Sequence, residues 1–398
     1  MPREPGGNAM KDRIRVLQRN LAARGLDAAL LVYSRDVLYY TGTAQPSCLA
    51  VTPGDYTLYV RSGFDFALQD VFIPRGKLAE ERRLEKILAG LLSRLAGKPP
   101  RVGTELDIVT AEQLDALRKA APGVEFVNVS PVTLEQRKAK EPAEIGKLRR
   151  ACDAVHAGHE AVLATLRDGV TELELAAAVE NAHRLAGHEG VFFIRLPDFF
   201  MSRGPIGAGP NLSKISGVVY TITGVGLSPA VPAGPSRRPI ARGETVVVDI
   251  PTLVEGYHAD QTRTYCIGEA GEAIHALYAD LTAVADHLIG AVRPGMTGRD
   301  VCRMAQRKAE ALGRTREFMS FGAGKASRIL GHGIGLELNE PPILSEHDTS
   351  AIPGGCVIAL DLHMMSGEGG VVKLEDMVLV GEEGNEILTK TPRRLFEV

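Results

Sequence analysis

Gly331-His332-Gly333-Ile334-Gly335-Leu336-Glu337-Leu338-Asn339-Glu340-Pro341-Pro342 is the stretch on which the reading of this chain turns. It sets one imidazole between two glycines, where backbone can approach a ligand closely, and it predicts a loop around His332. Its weight comes from acids elsewhere in the chain, Asp249 and Asp260 upstream and Asp361 and Glu375 downstream. One histidine with four carboxylates is an oxygen-rich donor set suited to two divalent metal ions.

The acids stand in unusual places. Asp249 sits in Thr245-Val246-Val247-Val248-Asp249-Ile250, Asp361 in Val357-Ile358-Ala359-Leu360-Asp361-Leu362, and Glu375 in Val371-Val372-Lys373-Leu374-Glu375-Asp376-Met377-Val378. A carboxylate inside a buried strand costs several kcal/mol unless it is paired, hydrogen-bonded or metal-bound. Backbone donors at a strand end would account for any one of them, but three in one region argue for a shared cause. Asp260 follows Asp249 by 11 residues, with Gly256 marking a turn between them. Antiparallel strands would then bring the two aspartates together. Side by side and unpaired they repel, and one would take up a proton; a divalent cation removes that conflict. Glu337, Glu340 and Asp376 read as partners, not ligands.

The whole chain, 398 residues with net charge −3, 44% hydrophobic and 24% charged, has the composition of a soluble globular protein of two or three domains. That charge argues against nucleic acid or an anionic membrane as partner. No apolar run approaches the ~20 residues of a membrane span, and residues 1–10 lack a signal pattern. Five dispersed cysteines without a CxxC pair read as reduced thiols in a cytoplasmic protein.

Helical spacing over 11–25 followed by Ala28-Ala29-Leu30-Leu31-Val32-Tyr33 opens a compact α/β unit that runs to Val127-Asn128-Val129. The charged stretch 134–144 lacks apolar periodicity and predicts the domain boundary. The domains are read as 10–136 and 137–398. Amphipathic helices follow near 144–167 and 172–186, separated by Asp168-Gly169, with Thr171 as cap for the second. Residues 203–236 hold seven glycines and five prolines and predict site-shaping loops around a short strand at 217–223. Helices near 271–292 and 298–312, the second capped by Thr297, and strands at 356–362 and 371–380 complete the chain.

These residues together resemble the pita-bread superfamily of Xaa-Pro aminopeptidases, Xaa-Pro dipeptidases, methionine aminopeptidases and creatinases. The resemblance covers nearly the whole chain. Tyr39-Tyr40-Thr41-Gly42 is similar to the creatinase-type N-terminal domain, and Arg137-Lys138-Ala139-Lys140-Glu141-Pro142-Ala143-Glu144-Ile145 to the family's entry helix. Asp249, Asp260, His332, Asp361 and Glu375 match its metal positions, usually Asp, Asp, His, Glu, Glu. The resemblance implies an α/β (α+β) protein with a creatinase-type N-terminal α/β domain and a C-terminal pita-bread domain. It implies a hydrolase that removes the residue before proline from a small peptide, and a homodimer. It further implies two divalent ions, manganese first and cobalt, iron or zinc as alternatives, bridged by Asp260 and Glu375. Asp260, Glu375 and Asn339 are then the catalytic candidates, a carboxylate beside the water serving as general base.

Three departures from the family pattern bear on the reaction. Asp361 stands where the family has Glu, and its reach is shorter by ~1.5 Å, against a tolerance of about 0.2 Å in metal–ligand distance. His363, two residues along the same strand face, is a substitute ligand or a supporting group. Asn339 replaces a histidine that binds the substrate carbonyl, and it cannot carry a proton at neutral pH. The family's other histidine should fall near 231–233, where this chain has Val231-Pro232-Ala233. Two rival readings follow: creatinase-like hydrolysis of a non-peptide C–N bond or a related lyase reaction, and a binding protein that has lost turnover.

Overall fold

The computed structural model describes residues 12–95, 99–196, 204–215, 221–367 and 370–398. They form two compact units dividing between Arg137 and Lys138, with Arg195 joining the first. The first is a sheet of six strands, β1 (Ala28–Leu31), β2 (Ser47–Val51), β3 (Tyr56–Val60), β4 (Leu78–Glu80), β5 (Arg101–Thr104) and β6 (Glu125–Asn128), in the order β4-β3-β2-β1-β5-β6. Pairing is antiparallel in β1–β2–β3 and parallel at β1–β5, β5–β6 and β3–β4. The charged stretch read as the domain boundary begins inside a helix, Ser130–Arg137. Its basic side chains are buried because each has an acceptor. Arg137 binds Asp36 within the first unit, while Lys138 reaches Ser350 and Lys140 reaches Glu340 within the second.

The second unit is built on a sheet whose main path of strands is β15-β14-β16-β17-β11-β8-β7. These are β7 (Ile206–Ala208), β8 (Thr245–Asp249), β11 (Thr262–Cys266), β14 (Ile329–Gly333), β15 (Glu340–Ser345), β16 (Val357–Met365) and β17 (Val371–Leu379). Between β8 and β11 lies a small hairpin, β9 (Thr252–Val254) and β10 (Tyr257–Ala259), turning at Glu255-Gly256. The shorter strands β12 (Ser320–Gly322) and β13 (Lys325–Ala326) form a separate pair.

Four helices pack on one face of this sheet: Pro142–Thr165, Glu172–Leu185, Glu272–Ala291 and Gly298–Ala311. Their starts follow from local chemistry. Thr171 accepts from the Glu174 amide and Thr297 from the Asp300 amide, each completed by the acid reaching back to the cap's N–H. Strand alternation decides what faces these helices. Ile358, Leu360, Leu362 and Met364 of β16, and Val372, Leu374 and Val378 of β17, share one apolar core with the third and fourth helices. Val246 and Val248 of β8 and Tyr265 of β11 pack in a second core with the first two. The odd-numbered residues of β16, β17 and β8 therefore lie on the opposite face, and Asp249, Asp361 and Glu375 are among them.

Of the predicted strand at 217–223, residues 217–220 lie outside the described set. What is described of this region is the short strand β7, a 3-10 turn at Gly209–Ser213, and bridges Gly224↔Gly234 and Ser228↔Val231.

Candidate metal centre

On the face opposite the four helices the register fixes the site. Asp361 pairs with Glu375 across the antiparallel β16–β17 ladder, and Thr262 pairs with both Glu375 and Asp249. The Thr262 hydroxyl donates to Glu375 Oε2 at 2.9 Å. Asp260 precedes β11, its own N–H directed at Met377 Sδ and its Oδ1 accepting from the Gln261 amide at 3.1 Å.

His332 corrects an expectation. It lies in strand β14, not in a loop. The flanking glycines serve strand packing: a Cβ on Gly331 would collide with the Ala359 carbonyl oxygen, and one on Gly333 with that of Pro341. Between Ile329 and His332 the β14–β15 register is irregular, three steps on one strand facing two on the other. Such a bulge reverses the alternation. Leu330 enters the helix-side core, whereas His332 pairs with Ala359 and takes the face of the odd-numbered β16 residues. The His332 Nδ1 lies 3.1 Å from the Gly333 carbonyl oxygen. That contact places the proton on Nδ1 and leaves Nε2 with a lone pair. Burial holds the ring's pKa below its ordinary value, so it is neutral.

Asp260, His332 and Glu375 each offer a ligand atom within 4.8 Å of the other two, and all three are buried. Burial, reinforced by Asp249 and Asp361, pushes the Asp260 carboxyl well above the ordinary range. Burial with Asp260 and Asp361 does the same to Glu375. Two such carboxyls with a neutral imidazole form a donor set that a divalent cation satisfies.

Asp249 and Asp361 are held differently, by a residue that sequence reasoning passed over. Lys373 is fully buried. Its ammonium pairs with Asp249 Oδ2, lies 3.0 Å from Asp361 Oδ1 and 3.8 Å from Glu375 Oε2. Burial alone would lower its pKa, but Asp249, Asp361 and Glu375 outweigh that and raise it. Burial raises Asp249 while Lys373 opposes the rise. The signal was present in the sequence: a lysine in an apolar strand, two residues before Glu375, shares its face. His363 turns elsewhere. Its Nε2 lies 3.1 Å from the Ser320 carbonyl oxygen, and its ring stacks on Phe321 at 5.0 Å. Asn339 lies half-buried in the turn between β14 and β15, between Leu338, whose amide donates to Phe193 O, and Glu340, which pairs with Lys140.

An α/β N-terminal unit, a sheet with helices on one face and a cluster of acids on the other together define a pita-bread metallohydrolase. Residues 146–382 match the model of metallopeptidase family M24, and residues 13–139 match the creatinase/prolidase N-terminal domain. The chain belongs to metallopeptidase family M24 and is a hydrolase of that family. It is 26% identical over 392 residues to the Xaa-Pro dipeptidase of Pyrococcus horikoshii, covering 97% of this chain and 99% of that one. Among solved structures, dipeptidase PepE from Mycobacterium ulcerans superposes with a TM-score of 0.78 at 25% identity, covering 98% of each chain. An Xaa-Pro dipeptidase from Bacillus anthracis superposes with a TM-score of 0.82 at 22% identity, covering 98% of this chain and all of that one.

Proposed function

We propose that this protein is a metal-dependent dipeptidase acting on small peptides with proline second, built around one divalent-ion site on Asp260, His332 and Glu375. The observation that carries the reading is the convergence of those three buried ligand atoms within 4.8 Å, in a chain whose M24 relatives include a protein named Xaa-Pro dipeptidase. A divalent ion bound there would make a nearby water acidic enough to ionise near pH 7 and would polarise the scissile carbonyl.

The chain's own groups supply the rest. His332 keeps its proton on Nδ1 and presents Nε2 as a donor atom. The Thr262 hydroxyl occupies one lone pair of Glu375 Oε2 and fixes the orientation of that carboxylate. Asp260 or Glu375 would accept the proton given up by the attacking water. Asn339 offers a neutral N–H in the turn after His332. Oxygen-dominated ligation with one imidazole favours manganese, iron or cobalt. Five free cysteines, all buried, fit a reducing, cytoplasmic compartment.

A second reading, hydrolysis of a non-peptide C–N bond, draws on the Asn339 position and on the lack of any histidine in residues 203–236. The test is a panel assay with manganese on Xaa-Pro dipeptides, longer peptides with proline second, other dipeptides and guanidino compounds. Preferential Xaa-Pro dipeptide cleavage is expected. Cleavage of guanidino compounds alone would replace the proposal with the second reading.

A further inference from the structure

The metal-centre reading uses Asp260, His332 and Glu375 and leaves Asp249 and Asp361 with another partner. That partner is a cation already present in the chain. We propose that the Lys373 ammonium is the resident cation of the Asp249–Asp361 half of the site, so that this protein takes one divalent ion where its acids would otherwise hold two. The inference rests on the metal-centre reading and specifies its composition.

Four observations carry it. The first is occupancy: the lysine nitrogen contacts Asp249 Oδ2 and lies 3.0 Å from Asp361 Oδ1. A second ion would compete for the same lone pairs and would lie within a few ångströms of a like charge, which is strongly unfavourable in a buried setting.

The second is confinement. Lys373 is 0% exposed. The Thr264 hydroxyl donates to its carbonyl oxygen at 2.7 Å and accepts from its amide at 2.9 Å, which pins the backbone from the neighbouring strand. Withdrawing the amine would leave a charge buried without a partner, a far worse state than the one observed.

The third is charge. Asp249, Asp260, Asp361 and Glu375 carry a formal −4, and His332 is neutral. One ammonium and one divalent ion bring this to −1, whereas the ammonium with two divalent ions would make the cluster net positive. The fourth is reach. Asp361 has one methylene fewer than a glutamate, yet it is well placed for a lysine entering from the same face of the adjacent strand. Asp361 faces Glu375 in the ladder, and His363 faces Lys373 one step along that face.

The test is metal stoichiometry, which does not depend on turnover. The full-length protein is loaded with manganese, desalted and assayed by elemental analysis alongside Lys373→Met. One manganese per native chain and two per Lys373→Met chain are expected. Anomalous scattering from crystals of the manganese-loaded native protein provides a second measurement that does not depend on the variant folding. One peak is expected, among Asp260, His332 and Glu375, with the lysine still against Asp249 and Asp361. Two peaks in the native protein, or one equivalent in both proteins, overturn the lysine inference and leave the metal-centre reading intact. No manganese in the native protein sinks both.

Discussion

Asp361 stands directly opposite Glu375 in the antiparallel β16–β17 pair. Directly opposed residues in such a pair have Cβ atoms about 4.5–5.5 Å apart, and like charges at that separation repel. The sheet tolerates the pair because Lys373, on the same face and two residues before Glu375, brings its ammonium to 3.0 Å from Asp361 and 3.8 Å from Glu375. The acid-bearing face is thus an arrangement of charges that the strand ladder imposes and that cations must neutralise.

His332→Ala should abolish high-affinity manganese binding while leaving the fold in place. Loss of a supporting contact to a metal ligand already costs about 10–100-fold in affinity, so loss of a ligand should exceed 100-fold. Titration calorimetry of the native and variant proteins checks this. Unchanged affinity in His332→Ala would remove the imidazole from the metal set.

Metal affinity should rise with pH as Asp260 and Glu375 give up their protons. Burial and mutual repulsion raise Asp260 and Glu375 well above the ordinary carboxylate range in the metal-free protein. Their folded-state pKa values therefore exceed the unfolded ones. Stability of the metal-free protein should fall as pH climbs from the unfolded carboxylate value of about 4 through the raised folded values. Metal binding must displace any protons the acids hold. Calorimetry in buffers of different ionisation enthalpy should show protons released on manganese binding. A buffer-independent enthalpy at neutral pH would mean that both acids are already ionised.

Much of this molecule is legible in its sequence, for physical reasons. Thr171 and Thr297 announce their helices because a cap is a local interaction between residues three apart. Asp249, Asp361 and Glu375 stand out because a charge inside an apolar strand needs a cause. The strand position of His332 was not legible. Its glycines look like loop punctuation, and only the packing of Gly331 against the Ala359 carbonyl shows that they serve close strand approach. Lys373 was overlooked because its role depends on register. Which acids a lysine meets is set by the order β16-β17-β11-β8 in the sheet, information that no single strand contains.

Gly331→Ala should destabilise the catalytic unit and weaken its metal site together. An added Cβ meets the Ala359 backbone oxygen, which cannot rotate away as a side chain would. Overpacking of this kind costs typically 1–3 kcal/mol, and the strand shift that relieves it moves the adjacent His332. Denaturant unfolding and manganese affinity should both change. A variant with lowered stability but native metal affinity would show that β14 adjusts without carrying His332 along.

Acid should destabilise the protein through buried histidines away from the metal centre. His159 sits 2.8 Å from the Tyr265 hydroxyl and packs on Phe396 at a ring separation of 4.5 Å. Burial lowers its pKa to about 4. The unfolded chain binds this proton at about 6.5, so between these values the unfolded state holds more protons and stability rises with pH. The contribution is complete above about 6.5 and is lost as pH falls toward 4. Thermal unfolding from pH 7 to 4 should show a shallower decline for His159→Gln, which stays neutral, than for the native protein. Equal slopes would assign the acid sensitivity to other groups.

Peptide turnover should be low in the native protein and rise in Asn339→His. A donor that strengthens its bond as charge develops on a carbonyl oxygen is worth about 10²–10³ in rate. Asn339 can donate from its amide but cannot share a proton as imidazole does. Its turn is anchored by the Leu338 amide on Phe193 O and by the Glu340–Lys140 ion pair, so the scaffold should accept the exchange without rearrangement. Steady-state kinetics on an Xaa-Pro dipeptide with manganese bound should show the gain in kcat, with KM changing less, because the added interaction is made chiefly in the transition state. Ordinary rates of about 10 s⁻¹ in the native protein would refute the argument from the missing histidine. Some other group would then stabilise the developing charge.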